Sequence, residues 1–506
     1  MPVKAKKSVL VVGAGPGGLA CAALLASRGL DVTLLEKKSH VGGRNARLDL
    51  GGFKFDVGPT FLMMKFLLDD IFEEAGARSE DFMRFVRLDP IYKLVFDGRS
   101  LSPSAGPEGT RQEIERLFPG RSGGFNRFLE GEKARFTRII PCLQRDYSSL
   151  GRMLSPTLMR ALPYLGLGKS VFQVLRGYFG DDELALLFSF QSKYLGMSAW
   201  KCPGGFAMLS FIEHAYGVYH VLGGLSEISV ALAKAAQERG ARIHLRTPVR
   251  RLILDGHKVR GVELENGERV DCDDLVLNAD FGHAMTTLMP PGALRRYAPA
   301  RVERMQFSCS TFMLYLGLDR VYPLPHHTIV FARDYKRNVN EIFESRVPSD
   351  DISFYVRNAA ATDPTVAPAG KSGLYVLVPV PNLDGAVCWP QERERYREMA
   401  LRAIEERLDV PDLRRHIVAE RILTPEDWRD DYLVFKGATF NLAHNLAQMA
   451  FWRPRNRFEE LDNCYLTGGG THPGSGLPTI LESARISSNL ISRKHRVRFI
   501  TKELSI

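Results

Sequence analysis

Cysteine is sparse in this chain and has no pairing pattern. The seven cysteines, at positions 21, 142, 202, 272, 309, 388 and 464, are scattered, and none stands in a CxxC spacing. An odd and dispersed set argues against a disulfide framework and against a structural zinc site. We therefore expect a cytoplasmic chain without a bound metal.

Long apolar runs are also lacking. No stretch reaches 18 uninterrupted apolar residues, so the sequence predicts no membrane-spanning helix. The N-terminus imitates an export signal, because Lys4, Lys6 and Lys7 precede an apolar run. Closely spaced glycines interrupt that run as in a nucleotide-binding turn, so we interpret it as part of the folded core.

The charge is basic overall but not concentrated in tails. The chain has 68 Lys and Arg against 58 Asp and Glu, a formal charge of +10, and no nucleic-acid-binding motif. Segment 141–177 carries five basic residues against one acidic residue, with apolar residues between them. We expect this segment to contact anionic lipid, and the alternative is a solvated helical face.

A βαβ unit opens the chain. The apolar run Ser8–Val12 is typical of a strand buried on both faces, and the Ala- and Leu-rich run 19–27 predicts a helix. A second strand follows at Asp31–Leu35. Between the first strand and the helix stands a GxGxxG turn with the glycines Gly13, Gly15, Gly17 and Gly18.

The turn and the acidic residue after the second strand predict a dinucleotide site. Gly13 permits the tight turn, Gly15 lets the backbone approach a pyrophosphate, and Gly18 lets the helix pack closely on the strand. The phosphates are expected at the positive end of the helix. The carboxylate of Glu36 is expected to accept hydrogen bonds from a ribose diol.

Further glycine pairs favour FAD over NAD. Gly42, Gly43 and Arg44 follow the acidic residue, and then come Gly58, Pro59 and Thr60. Additional glycine turns suit a ligand that extends beyond its adenosine half, as FAD does. Arg44 is a candidate for contact with a phosphate or an acidic substrate, and an ordinary surface arginine is the alternative.

The motifs together resemble the bacterial-type phytoene desaturase family of carotenoid biosynthesis. They are GAGPGGLA (13–20), VGGR (41–44), FDVGPT (55–60), GVYHVLGGL (217–225), LNAD (277–280), FWRPRNR (451–457) and GGGTHPGSGLP (468–478). The resemblance implies an FAD enzyme with an amine-oxidase-like fold that removes two hydrogens from a linear carotenoid such as phytoene or a C30 precursor. A lipid-dissolved substrate implies peripheral contact with the cytoplasmic face of a membrane, and quinone or oxygen is the implied electron acceptor.

Four other functions remain open at this point. A carotenoid isomerase uses reduced flavin without net oxidation, and a related oxidase converts a terminal methyl group to an aldehyde. A polar-substrate amine oxidase is disfavoured, because the apolar middle of the chain lacks an evident amine-binding carboxylate cluster. The two complete glycine loops argue against a non-catalytic carotenoid or flavin carrier, because a carrier does not need both.

The expected fold is α/β, with a Rossmann-like FAD-binding domain assembled from discontinuous segments, an α+β substrate domain and a helical insertion. The expected FAD-binding parts are 1–75, 216–290 and 451–506. A mainly helical insertion is expected over 76–215 and a substrate-binding sheet region over 291–450. Asp255-Gly256 and Asn266-Gly267 predict hairpin turns.

The late glycine loop is predicted to complete the flavin site. A strand at 464–467 and a helix at 479–492 flank it, so the helix start is expected to direct N–H groups at the flavin ring. Pro478 is suited to the first helical turn. The expected cofactor-binding residues here are Gly469, Gly470, Gly474, Gly476, Leu477 and Pro478.

Four polar residues are candidates for a catalytic role. Glu213 and His214 stand in an apolar stretch where burial shifts a pKa towards a catalytic range, and His220 and His472 stand in family-like motifs. Hydrogen bonding within the core is the alternative for each. The expected tunnel-lining residues, for which ordinary core packing is the alternative, are Phe188, Phe190, Tyr194, Phe206, Met208 and Phe211.

Overall fold

The computed structural model describes residues 6–502, except for the side chains of Leu150 and Tyr194. Lys4 of the basic N-terminus and the side chain of the tunnel candidate Tyr194 lie outside this description.

A five-stranded parallel sheet forms the centre of the dinucleotide-binding region. Its strands, in spatial order, are Cys464–Leu466, Asp274–Leu277, Ser8–Val12, Asp31–Leu35 and Arg242–His244. The helices Pro16–Ser27, Glu227–Glu238 and Leu477–Lys494 share one hydrophobic cluster with this sheet. Three distant parts of the chain therefore build one sheet, which confirms the predicted α/β class and its discontinuous Rossmann-like domain.

Two hairpins pack on the other face of the parallel sheet, in a hydrophobic cluster that joins Leu252 and Val262 with Leu10 and Leu275. Antiparallel strands Val249–Asp255, Lys258–Leu264 and Arg269–Asp271 form a three-stranded sheet. The two tight connections fall at Asp255-Gly256 and Asn266-Gly267, as the turn residues predict.

A seven-stranded sheet forms the second layer. Its spatial order is Ile417–Leu423, Ser310–Leu318, Ser372–Val380, Phe354–Asn358, His327–Val330, Lys93–Phe96 and Arg99–Leu101. The helix Trp389–Leu408 packs on this sheet through a cluster that includes Trp389, Tyr396 and Ile404. Two-stranded ribbons pair Arg47–Leu50 with Phe53–Asp56 and Phe85–Arg87 with Tyr219–Val221.

The middle segment is mostly helical but also supplies strands. Its helices are Lys65–Glu74, Pro107–Leu117, Ser122–Leu143, Leu150–Met153, Pro156–Ala161, Val171–Phe179, Asp182–Leu187 and Met208–Tyr216. The expectation of a mainly helical insertion over 76–215 missed the strands Phe85–Arg87, Lys93–Phe96 and Arg99–Leu101. Lys93–Phe96 pairs in parallel with His327–Val330, a partner more than 200 residues away that no local pattern reveals.

The remaining α-helices of the described residues are Phe281–His283, Pro299–Val302, Tyr335–Asn340 and Pro425–Tyr432. Over residues 6–502, none of the helices combines the length and the apolar composition that crossing a bilayer requires. The boundaries of the five expected segments stay predictions.

Candidate functional site

A cavity of about 710 Å³ lies between the parallel sheet and the seven-stranded sheet. Its wall includes the ends of the two glycine loops as well as one face of the seven-stranded sheet. A volume of this size is in the range of cofactor and substrate pockets. The cavity therefore brings the two predicted halves of the nucleotide site together with a second, apolar region.

The first glycine loop packs around one asparagine. Gly13, Gly15 and Gly17 line the cavity, and Gly18 lies just behind it. Asn278 donates from Nδ2 to the Gly13 carbonyl oxygen at 3.0 Å. A Cβ added at Gly15 or Gly17 would come within 2.9 Å of this side chain, so these glycines also make room for Asn278.

Gly18 has the predicted packing role. A Cβ at this position would clash with the carbonyl oxygen of Gly13, where the helix Pro16–Ser27 approaches the strand Ser8–Val12 most closely. That helix starts after Gly15 and has no side-chain cap, so its first N–H groups remain available at the cavity.

Glu36 lies at the end of the second strand and lines the cavity. Its Oε2 accepts a hydrogen bond from the Ala14 N–H and its Oε1 accepts one from the Lys38 N–H, both at 2.8 Å. Each carboxylate oxygen has a second acceptor position, which a ribose hydroxyl can occupy.

Arg44 is held in the wall of the cavity beside an acidic residue. Its Nη1 donates to the Thr439 carbonyl oxygen at 2.9 Å and lies 3.7 Å from Oδ2 of Asp280. Gly43 also lines the cavity, whereas Gly42 lies in the turn behind it. Burial raises the pKa of the Asp280 carboxyl, and the nearby Arg44 opposes that rise.

Tyrosines of the seven-stranded sheet bind the segment that contains Gly58, Pro59 and Thr60, all three of which line the cavity. The Tyr375 hydroxyl donates to the Gly58 carbonyl oxygen at 2.8 Å. The Tyr355 hydroxyl donates to Oγ1 of Thr60 at 3.0 Å. These bonds join the seven-stranded sheet directly to the segment with the predicted cofactor-binding residues.

The late glycine loop reaches the same cavity. Gly469, Gly470, Gly476, Leu477 and Pro478 line it, and the helix Leu477–Lys494 begins there without a side-chain cap. Pro478 lies in its first turn, as expected, although the helix begins two residues earlier than the sequence suggested. Two helix N-termini thus face one cavity.

Gly474 differs from its neighbours in the loop. It has a φ of 146°, and an added Cβ would lie 2.5 Å from Nε2 of His444. His444 in turn accepts a hydrogen bond from the Ser475 N–H at 3.1 Å. Gly474 therefore lies against His444 and not in the cavity lining, so the loop needs glycine there to pack on the histidine.

A buried arginine from the RPRNR motif holds the late loop in place. Arg453 is fully buried, and its guanidinium donates to the carbonyl oxygens of Gly469 at 2.7 Å and Thr471 at 3.1 Å. It also donates to the carbonyl oxygen of Leu442 at 3.2 Å. Burial lowers its pKa to about 9. The motif carried the family resemblance, but its role as a clamp on the loop emerges only from these long-range contacts.

One face of the seven-stranded sheet supplies the apolar part of the cavity. Thr311 and Met313 line it from one strand, and Leu377 and Pro379 line it from the adjacent strand. Every second residue of a strand points to the same face, so this wall is regular along its length. Further aromatic side chains complete it, namely Phe61, Phe190, Phe331 and Tyr335 from other segments and Phe354 at the start of another strand of the same sheet.

Among the expected tunnel-lining residues whose side chains are described, Phe190 is the one that lines the cavity. Phe188, Met208 and Phe211 are buried in the hydrophobic core of the helical segment, and Phe206 packs against it. For those four residues, the structure supports the alternative of ordinary core packing.

Glu213 and His214 lie in that helical core and not in the cavity lining. Glu213 is fully buried and accepts hydrogen bonds from Gln191 Nε2 at 2.7 Å and from the Tyr92 hydroxyl at 3.1 Å. Burial raises the pKa of Glu213 to about 8 and lowers that of His214 to about 3. Burial therefore moves the pKa of Glu213 towards a catalytic range, as expected, but moves that of His214 away from it, and neither side chain lines the cavity.

His220 belongs to a buried polar network. Its Nε2 donates to Oδ2 of Asp363 at 2.9 Å, and Nη2 of Arg357 donates to its Nδ1 at 3.0 Å. The same arginine pairs with Asp56 through an Nη1–Oδ2 distance of 2.6 Å. Asp56 accepts the backbone N–H groups of Leu225 at 2.9 Å and Ser226 at 2.8 Å, just before the helix Glu227–Glu238. His220 therefore links the two layers.

His472 is buried inside the late loop and packs edge-on against Tyr147 at 5.1 Å between ring centroids. Its carbonyl oxygen accepts from Asn456 Nδ2 at 2.9 Å, and burial lowers the pKa of its imidazole to about 4. None of the four catalytic candidates lines the cavity. Their direct catalytic role stays a prediction, and their contacts favour a supporting role.

No group of three His, Cys, Asp or Glu side chains within residues 6–502 is arranged to hold a metal ion. The arrangement that the cavity does offer is two uncapped helix N-termini, an acidic residue at the end of the second strand and an apolar wall. This combination suits a long dinucleotide with a ring system beside an apolar substrate.

Known proteins share this architecture. Residues 16–492 match the family described as flavin containing amine oxidoreductase. An oxidoreductase from Methanosarcina mazei superimposes with a TM-score of 0.62 at 18% identity, covering 94% of this chain and 99% of that one. At such low identity the likeness shows the fold alone.

Two relatives are much closer in sequence. A 4,4'-diapophytoene desaturase (4,4'-diapolycopene-forming) from Methylomonas sp is 51% identical over 493 residues, covering 97% of this chain and 96% of the relative. An all-trans-zeta-carotene desaturase from Myxococcus xanthus is 38% identical over 502 residues, covering 96% and 94%. The resemblance found in the motifs is confirmed: the chain is a flavin-dependent oxidoreductase and belongs to the carotenoid desaturase family within the flavin-containing amine oxidoreductases.

Proposed function

We propose that the protein binds FAD and introduces conjugated double bonds into a linear carotenoid precursor, with 4,4'-diapophytoene as its substrate. The observation that carries this proposal is the single cavity that joins two helix N-termini to an apolar sheet face. The choice of a C30 substrate rests on the 51% identical relative whose name includes it.

The residues of the cavity fit FAD at both ends. The helix after Gly15 and the carboxylate of Glu36 suit the pyrophosphate and the ribose, and Gly43 leaves room beside Gly15. The helix that begins at Leu477 directs a second set of uncapped N–H groups at the cavity, where they would stabilise negative charge on a bound ring. When bound, FAD supplies the hydride acceptor for desaturation.

The sheet face suits a hydrocarbon. A polyene offers no hydrogen-bonding groups, so its binding depends on apolar contact and on the exclusion of water. Met313 and Leu377 provide such contact from this face. The Tyr355 and Tyr375 hydroxyls are already bonded to Thr60 and Gly58, so they present ring surface to the substrate.

An exposed apolar patch supports membrane contact. We define the patch as Leu154, Met159, Leu162 and Leu167, whose exposed fractions are 73%, 49%, 37% and 56%. The exposed cations Arg152, Arg160 and Lys169 lie in the same segment. Apolar side chains flanked by cations suit an anionic lipid surface on the cytoplasmic side, where the substrate dissolves.

The test is desaturation of 4,4'-diapophytoene in anionic liposomes by the purified, FAD-loaded protein, with either a quinone or oxygen as electron acceptor. The expected result is new absorbance at longer wavelength with a loss of hydrogen pairs by mass spectrometry. An unchanged formula with an altered cis/trans ratio would identify an isomerase, and added oxygen would identify a methyl oxidase. A preparation without flavin that gains none from added FAD would contradict the cofactor assignment.

A further inference from the structure

A single lysine interrupts the aromatic part of the cavity wall. Lys193 lines the cavity together with Phe190, Tyr335 and Phe354. Its ammonium group lies 4.5 Å from the centroid of the Tyr335 ring. A hydrocarbon substrate gives no reason to keep an amine at this place, and the predicted cofactor contacts do not include it.

The bonding of Lys193 leaves the amine easy to deprotonate. Its Nζ donates to Oγ of Ser353 at 2.5 Å, and the Ser353 hydroxyl donates to Oδ1 of Asn338 at 2.9 Å. Within the described part of the chain, no carboxylate forms an ion pair with this lysine. Burial lowers the pKa of Lys193 to about 7, so both protonation states are populated near neutral pH.

The groups facing the amine do not supply a compensating charge. Cys309 and Tyr335 are the titratable side chains beside it, and burial raises the pKa of both. The thiol and the phenol are therefore neutral at physiological pH. The charge state of Lys193 depends mainly on its own desolvation.

The amine lies close to the proposed flavin wall. Ser353 directly precedes the strand Phe354–Asn358, and Tyr355 is the second residue of that strand. Residues two apart in an extended chain point to the same face, about 7 Å apart. Tyr355 donates to Thr60, which belongs to the segment assigned to the cofactor. Lys193 donates to Ser353, two residues before Tyr355, so its amine lies beside that segment on the same face of the strand.

We propose that Lys193 is the general base of desaturation, and this inference rests on the proposed function. Desaturation removes two hydrogens from adjacent carbons, one with its electron pair to the flavin and the other as a proton. The neutral amine of Lys193 accepts that proton. The electron pair of the broken C–H bond becomes the new π bond, which neutralises the allylic cation.

The neutral state suits this role on electrostatic grounds. A permanent ammonium would oppose the cation that develops on the substrate, whereas a neutral amine does not. A carboxylate partner would hold the lysine protonated. Among the described residues no carboxylate pairs with Lys193, so the lone pair of its amine stays available. Once charged, the ammonium remains bonded to Ser353 until product release lets water return.

The test compares Lys193→Met with Lys201→Met in the same liposome assay, over pH 5.5 to 9. Lys201 is an exposed lysine paired with Glu344, so its substitution is a matched control outside the cavity. In the wild-type protein and in Lys201→Met, we expect the rate per bound flavin to rise with pH through about 7. In Lys193→Met, we expect a loss of about 100-fold or more and no such rise, with unchanged flavin content.

A second variant separates chemistry from folding. Lys193→Ala is expected to regain part of its rate when methylamine is added, because a small amine fills the space and restores the base. Near-normal rates and an unchanged pH profile in Lys193→Met would overturn the inference, and so would a lack of response of Lys193→Ala to methylamine. An inactive wild-type protein would instead contradict the proposed function.

Discussion

At the scale of single residues, a pKa that is shifted by burial alone has to be distinguished from one that serves catalysis. Glu213 and His214 have strongly shifted pKa values because both are buried, and the His214 ring packs against Phe125, Phe128 and Phe188. Neither lines the cavity, whereas Lys193 does. A shifted pKa is therefore informative about function only when the group also reaches the substrate.

Glu213 provides a prediction for stability. Its pKa of about 8 in the folded protein exceeds the ordinary value of 4.5, so the folded state retains a proton that the unfolded chain releases between those pH values. Its stabilising contribution is complete below pH 4.5 and is lost as the pH rises towards 8, by up to roughly 5 kcal/mol. Glu213→Gln keeps the acceptor for Tyr92 and Gln191 but cannot ionise.

We therefore expect the thermal midpoint of the wild-type protein to fall between pH 5 and 9 more steeply than that of Glu213→Gln. Circular dichroism at matched ionic strength provides the measurement. The control is Glu238→Gln, at an exposed position on the helix Glu227–Glu238, which should follow the wild-type curve. Parallel curves for Glu213→Gln and wild type would contradict the buried-acid explanation.

The sequence predicts the glycines of the site better than it predicts the side chains that hold the glycine loops in place. Gly13, Gly15 and Gly18 belong to a spaced motif whose geometry is local, so their roles can be stated without a structure. Arg453 and Asn278 act on loops that are distant in the chain or in a different strand, through contacts with Gly469 and Gly13. Such contacts depend on tertiary packing, which one sequence does not reveal.

At the scale of elements, the site depends on how closely a helix approaches a strand. Gly18→Ala would place a methyl group against the Gly13 carbonyl oxygen, so the helix Pro16–Ser27 would have to move away from the strand Ser8–Val12. We expect flavin content to fall at least tenfold, with a loss of stability of about 2 kcal/mol or more. Flavin absorbance per protein and the thermal midpoint are the measurements.

Gly177→Ala is the matched control for this substitution. Gly177 lies in the helix Val171–Phe179, is exposed, and has no atom within 4 Å of an added Cβ. Alanine has the higher helix propensity, so we expect a gain of up to about 1 kcal/mol with normal flavin content. Equal behaviour of the two variants would show that the close approach at Gly18 is unimportant.

Helices and strands with strong local patterns were predicted to within a few residues. The predicted strands Ser8–Val12 and Asp31–Leu35 are observed with those bounds, and the predicted strand at 464–467 matches Cys464–Leu466. The strands Lys93–Phe96 and Arg99–Leu101 were missed because each is short and joins the edge of a sheet built mostly from residues after 300. Their stability comes from that sheet and not from their own composition.

At the scale of the whole molecule, the apolar patch leads to a prediction for membrane binding. The double substitution of Leu154 and Leu167 by serine removes the two most exposed side chains of the patch. We expect at least a tenfold loss of co-sedimentation with anionic liposomes, while the flavin content stays normal. The control replaces Val230 and Val418, which are exposed elsewhere, by serine. Equal binding of both double variants would contradict the docking proposal.

The strand Cys464–Leu466 has a consequence for how the protein is made. It occupies an edge of the parallel sheet, beside Asp274–Leu277, and the helix that follows it carries the second N-terminus of the cavity. During translation, the first glycine loop leaves the ribosome more than 400 residues before these parts exist. Cofactor loading is therefore a step for the finished polypeptide, because a chain that stops before residue 464 lacks the late glycine loop and the second helix N-terminus of the cavity.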